Sequence, residues 1–317
     1  VQRFQNILVG VDLSHGDRIA SPELNHPTQE AVRRAIWLAS QQGASLTFFA
    51  AIDVSAHTQE LLDQMSHSVE DDAQKVLAEL VQRATDEGIK ATSRLTYGRA
   101  WYQLIQQVLR EQHDLMIVGT RHTDRPGHLL FGSTGTKLLR KCPCPVWITK
   151  PDPNWDDLNI LVATDLDEVG ELALDLAVGA GQLAGGRLMV LHVLERQLDA
   201  SIQNTGMSPE ELQAFYDRKK AEAEQTLHDQ LSQTDYQTVE GGVQVQVREG
   251  SPEVMILQTI QECQTDLLVM GTVARSGLSG VLIGNTAERL FSEIPCSLLA
   301  VKPEGFRSPI VLDDSDA

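Results

Sequence analysis

The chain has little of what covalent scaffolds, membrane proteins and polyanion binders require. It carries 4 cysteines in 317 residues, too few for a disulfide framework. Two of them, Cys142 and Cys144, flank Pro143, but no second Cys pair or His pair stands at a matching spacing, so a metal centre is not expected. One thiol packed near a strand and another at a turn is the expected arrangement. Basic residues are outnumbered, with 26 Lys and Arg against 44 Asp and Glu and a formal net charge of −18. Nucleic acid and anionic membrane surfaces, which reward clustered Lys and Arg, are therefore excluded as main partners. A nucleotide held by backbone N–H groups remains compatible with that charge. No apolar run approaches the ~20 residues of a membrane span. No secretory pattern precedes the first strand, and a cytoplasmic location is expected.

Catalytic signatures are missing too. Gly132-Ser133-Thr134-Gly135-Thr136-Lys137 lacks the adjacent Gly-Lys of a P-loop, and no G-x-S-x-G elbow occurs. No pair of neighbouring acids stands out as an acid/base couple or Mg²⁺ site. The expectation is a protein that is not an enzyme.

What is present is present twice. Asp114-Leu115-Met116-Ile117-Val118-Gly119-Thr120 returns as Asp266-Leu267-Leu268-Val269-Met270-Gly271-Thr272, 152 residues later. The same spacing links Gly98 to Gly250, Gly132 to Gly284, Cys144 to Cys296 and Pro151 to Pro303. This period is far longer than the ~20–50 residues of solenoid repeats, so each copy is a whole domain. The expected boundaries are 1–151 and 156–305, with 306–317 as an acidic tail that frays at its end.

Each copy reads strand-helix four times and closes on a fifth strand. Ile7–Val11 and Ile160–Thr164 are apolar at nearly every position, as strands covered on both faces require. Helices are expected over Thr28–Gln42 and Val169–Ala184, with Gly43 and Gly185 at their C-caps. Strands follow at Leu46–Ile52 and Leu188–Leu194, then long helices over Ser55–Glu87 and Ser208–Gln233. Ser208-Pro209-Glu210-Glu211 and Ser251-Pro252-Glu253 are helix-start signals. Third strands are expected at Ala91–Thr96 and Val243–Arg248, fourth strands ending at Gly119 and Gly271, and fifth strands at Pro145–Lys150 and Ser297–Lys302. The alternation implies a parallel sheet with right-handed crossovers in each half. About eleven extra residues separate Asp12 from the first helix of the first half.

After each fourth strand comes a glycine loop. The first half reads Gly119-Thr120-Arg121-His122, nine residues, then Gly132-Ser133; the second reads Gly271-Thr272-Val273-Ala274, nine residues, then Gly284-Asn285-Thr286. A Gly-plus-polar pair opens a helix in both, where first-turn N–H groups and the dipole favour an anion. With Asp12 and Asp165 at the ends of the first strands, this pattern resembles the universal stress protein family, whose ATP-binding members carry G-x2-G-x9-G-[ST]. Leu282-Ile283-Gly284-Asn285-Thr286-Ala287-Glu288-Arg289 and Val301-Lys302-Pro303 resemble its tandem, E-type members.

The resemblance implies two doubly wound five-stranded sheets of order 3-2-1-4-5, in the manner of adenine-nucleotide alpha hydrolases. It implies a pseudo-dimer through the two fifth strands, with a further homodimer open. It also implies a stress-response protein binding ATP or another nucleotide-headed metabolite, with Mg²⁺ as the ion that would accompany the nucleotide. Asp12 and Asp165 would hold the adenine. Gly119, His122, Gly132 and Ser133 would line the site in one half; Val193, Gly271, Thr272, Ala274, Gly284, Asn285 and Thr286 in the other. His122 and Ala274 replace the family's second glycine and Asn285 its final Ser or Thr, so the slimmer second loop is favoured.

Plainer readings stand beside these. Asp12 and Asp165 suit turn caps. Asn285 with Glu288 reads as a capping box. Arg121, His122, Arg125 and His128 suit a solvated loop as well as a phosphate contact, and Arg275 likewise. His192 reads as a satisfied core histidine, Trp37 and Trp147 as core, and Trp101 as partly exposed. An interaction protein with degenerate pockets and a slow ATPase are the competing functions.

Overall fold

The computed structural model describes residues 4–14, 21, 23–53, 68–120, 132–151, 157–195, 208–272, 284–291 and 293–312. The chain divides into two compact units, one on each repeat.

In the first repeat the strands are β1 (Asn6–Gly10), β2 (Ser45–Ile52), β3 (Ala91–Tyr97), β4 (Leu115–Gly119) and β5 (Val146–Thr149). They pair in parallel in the order β3-β2-β1-β4-β5. The helices are α1 (His26–Gln42), α2 (Ser68–Asp86), α3 (Ala100–Glu111) and α4 (Gly132–Lys141). In the second repeat β6 (Asn159–Thr164), β7 (Arg187–Leu194), β8 (Val243–Glu249), β9 (Leu267–Gly271) and β10 (Ser297–Val301) alternate with α5 (Glu168–Ala184), α6 (Pro209–Ser232), α7 (Pro252–Glu262) and α8 (Asn285–Leu290). Their order, β8-β7-β6-β9-β10, is the same 3-2-1-4-5 counted within the repeat. The sequence-based fold class holds.

Both sheets are apolar on two faces because helices cover both. Ile7, Leu8 and Val9 are all buried, as are Leu161, Val162 and every residue of β10. Each such side chain stabilises by about 1.5–3 kcal/mol relative to exposure. The centre of each sheet is anchored alike. The Asp114 carboxylate accepts from the Gln5 and Asn6 amides, at 2.7 and 3.1 Å, and Asp266 accepts from Asn159 at 2.8 Å. The repeated Asp thus fixes where the first strand starts beside the fourth.

Helix ends follow the chemistry of their caps. Gly43 and Gly185 take the left-handed conformation, with φ of 69° and 64°, and close α1 and α5. At Ser208 both arms of a capping box form: Ser208 Oγ accepts from the Glu211 amide and Glu211 Oε2 from the Ser208 amide, at 3.2 and 2.8 Å. Ser251 occupies the cap position of α7, but its hydroxyl donates to the Glu253 carboxylate instead of accepting from the helix.

Several expectations need correction. Helix α1 begins at His26, capped by Asn25, whose Oδ1 accepts from the Thr28 amide at 2.9 Å. Trp37 is half-buried rather than core, whereas Trp147 is buried and Trp101 half-buried. Gly284, not Asn285, caps α8, and no side-chain cap forms there, so the Asn285–Glu288 capping box is not made. The segment before the acidic end is held in the unit of the first repeat. There the Val311 carbonyl accepts from Gln106 Nε2 of α3 at 2.6 Å. Residues 54–67, 196–207 and 313–317 lie outside the described residues, as do the expectations that fall on them.

Among the described residues no helix is long and apolar enough to cross a membrane.

Candidate functional site

In each sheet the first and fourth strands are neighbours. The chain leaves the first toward the second strand and the fourth toward the fifth. Right-handed crossovers therefore place those helices on opposite faces, and a crevice opens at the strands' carboxyl ends.

In the second repeat, strand β6 ends in a stapled turn. Thr164 Oγ1 accepts from the Leu166 amide at 3.0 Å, Leu166 takes φ 68°, and Asp167 caps α5 by accepting from Gly170 at 2.9 Å. A Cβ on Gly170 would lie 2.1 Å from Thr164 Oγ1, so only glycine fits. Gln230 of α6 donates to the Leu166 carbonyl and to Glu171. His192 is half-buried; its Nδ1 donates to the Thr164 carbonyl at 2.9 Å. It is a satisfied histidine, as expected, but stands beside the turn rather than in the core. Asp165 is exposed at the head of this turn.

Across the crevice, Thr272 follows β9. Its amide donates to the Val301 carbonyl at 3.2 Å, and its carbonyl accepts from the Gly284 amide at 3.2 Å. Lys302 is buried, only 3% exposed, with Nζ 2.8 Å from Thr272 Oγ1. An ammonium thus sits beside the residue that positions the cap of α8. A Cβ on Gly284 would meet nothing within 4 Å, and its φ of −60° suits any residue. Among the described residues, neither packing nor backbone strain requires a glycine there. The Arg289 guanidinium, 2.5 Å from Glu253 of α7, ties the short helix down. A hydrogen bond from Ser251, then the Arg289 contact, holds the Glu253 carboxyl below its usual range.

In the first repeat, Asp12 is exposed and already engaged: its Oδ1 accepts from the Ser14 amide at 3.0 Å and the Ser14 hydroxyl at 2.6 Å. This is the turn-capping arrangement. The Thr120 amide donates to the Thr149 carbonyl at 3.1 Å, matching Thr272. Gly132 opens α4 with φ 48°, and Ser133 is exposed beside it. Lys150, at the repeat position of Lys302, is only half-buried. Lys137 and Lys141 of α4 lie over the Trp101 ring of α3, at 5.1 and 4.8 Å from its centroid.

The repeated glycines ending β4 and β9 have a packing role. A Cβ on Gly119 would lie 2.5 Å from the Pro27 carbonyl oxygen, and one on Gly271 2.9 Å from Val169 Cγ1. In both halves the close approach is by the first turn of the half's own first helix.

The structure therefore gathers Asp165, Gly271, Thr272, Gly284 and Thr286 at one set of strand ends, and Asp12, Gly119, Gly132 and Ser133 at the other. Val193 lies half-buried near the end of β7. His122 and Ala274, with Arg121, Arg125, His128 and Arg275, lie outside the described residues, as does the Asn285 side chain. Sequence reasoning missed Lys302 as a site residue. Its signal was the recurrence of Lys directly after both fifth strands, at Lys150 and Lys302.

Parallel strands in the order 3-2-1-4-5 with helices on both faces define a class, the doubly wound open α/β domain, here duplicated. The family model described as "Universal stress protein family" matches residues 3–150 and again 158–302. The chain belongs to the universal stress protein family. It is 29% identical to Universal stress protein E of Photorhabdus laumondii, over 97% of this chain and 98% of that one. It is 26% identical to Universal stress protein E of Escherichia coli K12, over 99% and 98%. Among solved structures, a universal stress protein from Archaeoglobus fulgidus shares the fold with a TM-score of 0.63 at 20% identity, over 94% of this chain and 98% of that one.

Proposed function

We propose that the protein is a stress-response regulator whose clefts bind an anionic, nucleotide-headed metabolite and carry out no dedicated chemistry on it. The observation that carries this reading is the buried Lys302 ammonium on Thr272 beside the Gly284 amide. A buried ammonium at this edge of the cleft favours an anionic group over a neutral one. The second repeat is the favoured cleft, because the turn at the end of its first strand is stapled by Thr164, Asp167 and Gln230. ATP, AMP or a nucleotide sugar fits this chemistry. Any Mg²⁺ would arrive on the ligand's phosphates, since no cluster of three metal-ligating side chains occurs among the described residues.

Mass spectrometry of material co-purifying with the native protein, followed by calorimetric titration with ATP, AMP and a UDP-sugar, tests the reading. Lys302→Met is expected to weaken binding by about tenfold, the loss of one charge-assisted hydrogen bond. Absence of heat with all three ligands, and of any co-purifying compound, favours the second reading, a protein acting through its surfaces. The engaged Asp12 carboxylate is the observation on that side. Turnover above that of Gly284→Asp would instead favour a slow ATPase.

A further inference from the structure

Cys142 and Cys144 lie between the end of α4 and the start of β5. Both are buried, at 0% and 7% exposure, and their Sγ atoms are 3.5 Å apart. We propose that Cys142 and Cys144 form a reversible dithiol–disulfide site, closed by a hydroperoxide or by exchange with a small-molecule disulfide.

The duplicated fold supplies the control for this idea. Cys144 has its counterpart in Cys296, buried at the same point before the fifth strand. Cys142 has its counterpart in Ile294, which is fully buried. The fold therefore accepts a larger aliphatic group at this position, and it needs no thiol there for packing. A lone buried cysteine is an inert small hydrophobe. Two whose sulfurs touch across one intervening residue have a shared reaction open to them. Ring closure requires the sulfurs to move from 3.5 Å to a bond length of about 2.0 Å.

Metal capture is the weaker use of the pair. Two thiolates leave a Zn²⁺ ion short of its four ligands, and no third ligand stands with them among the described residues.

The step balances without a cofactor. One thiolate attacks the outer peroxide oxygen, breaking the O–O bond, and becomes a sulfenic acid; the alkoxide or hydroxide leaves and takes a proton. The second sulfur attacks the sulfenic sulfur and expels water. The sum is two thiols plus one hydroperoxide giving one disulfide, one alcohol or water, and one water. Exchange with a small disulfide transfers the same two electrons and releases two small thiols.

The slow step is formation of the first thiolate. The hydrogen bond shared with Cys142, then burial, hold the Cys144 thiol well above its ordinary range. The Asp114 carboxylate adds to that shift. A disulfide spanning so short a loop gains little from chain entropy, which makes it easily reduced.

The test uses the full chain, folded and pre-reduced, exposed to hydrogen peroxide and separately to oxidised glutathione. Alkylation in denaturant and peptide mapping follow. Trypsin places both cysteines in the peptide that begins at Cys142, apart from Cys263 and Cys296. The proposal expects that peptide to lose two hydrogens, to regain them with dithiothreitol, and to do so while circular dichroism stays native. Cys142→Ile, copying the second repeat, is expected to abolish the two-hydrogen loss while remaining folded. Persistence of both thiols, or independent sulfinic acids or glutathione adducts in place of the disulfide, overturns it. If Cys142→Ile fails to fold, Cys142→Ser serves the same comparison.

Discussion

The two repeats solve one problem with different chemistry at the same two positions. In the first, Trp101 of α3 receives the Lys137 and Lys141 ammonium groups of α4 on its ring face. In the second, the counterparts of Trp101 and Lys137 are Glu253 and Arg289, and they form an ion pair. In both, the third helix holds the fourth, whose start faces the crevice. The duplication keeps the contact and exchanges its physics. A cation over an indole face survives salt better than an exposed ion pair does, and the Arg289 side chain is 69% exposed. The first cleft's helix is thereby held by a cation–π clamp and the second's by a salt-screened ion pair.

The sharpest contrast between the halves lies in their first helices. In α1, Glu30 and Arg34 form an ion pair while almost fully buried, and Arg33 reaches the same carboxylate at 2.8 Å. In α5 the matching positions are Leu172 and Leu176. Removing Glu30 takes the carboxylate away from the buried Arg34, so Glu30→Leu alone should destabilise the first repeat by about 3–5 kcal/mol. Glu30→Leu with Arg34→Leu, copying the second repeat, should recover most of that loss. Denaturant unfolding followed in both variants checks this, and equal damage in single and double variants would break the comparison.

Next in size is the helix clamp. Trp101→Ala should cost about 1–3 kcal/mol, less than a fully buried tryptophan because the ring is half-exposed. Glu253→Ala should cost less than about 1 kcal/mol and vanish in molar salt. Thermal melts at low and high ionic strength separate the two.

The strand-end glycines come third. Gly119→Ala drives a Cβ into the Pro27 backbone, whereas Gly271→Ala meets only the Val169 side chain. The first should cost about 1–3 kcal/mol by overpacking, and the second clearly less, because a side chain yields where backbone does not. Comparable melting shifts would contradict that reasoning.

The smallest effect is a pH dependence. Burial lowers the His113 imidazole below its ordinary 6.5. The fold therefore keeps it neutral while the unfolded chain takes up a proton. Its contribution is complete above pH 6.5 and is lost as pH falls through the lowered value. Thr265 holds the equivalent buried position in the second repeat. His113→Thr should flatten the acid side of the stability profile, read from melts between pH 5 and about 8.

Much of this was legible in the chain. The 152-residue spacing, the doubly apolar strands and the cap signals at Gly43, Gly185 and Ser208 gave the duplicated architecture, because each rests on local backbone chemistry. The candidate site was legible in outline only. Gly119 and Gly271 were singled out as ligand-facing, yet a first helix packs onto each, a tertiary contact that no local pattern reports. Asn285 carries a strong cap residue type, but the chain bends one residue earlier, at Gly284. Lys302 was hidden because a lysine after a strand ordinarily reaches solvent, and only the packed structure reveals its burial. His192 was read as core because its strand is apolar, although the side chain emerges where the strand ends.

The second repeat's cleft is where an anionic ligand should be held. Calorimetric titration of ATP and a UDP-sugar into the intact chain, Gly284→Asp and Ser133→Asp decides it, with Gly284→Ala as a folding control. A negative side chain beside Lys302 should remove the tighter site in Gly284→Asp, while Ser133→Asp and Gly284→Ala retain it. Binding unchanged in Gly284→Asp, or lost only in Ser133→Asp, would contradict the assignment of the better-kept cleft to the second repeat.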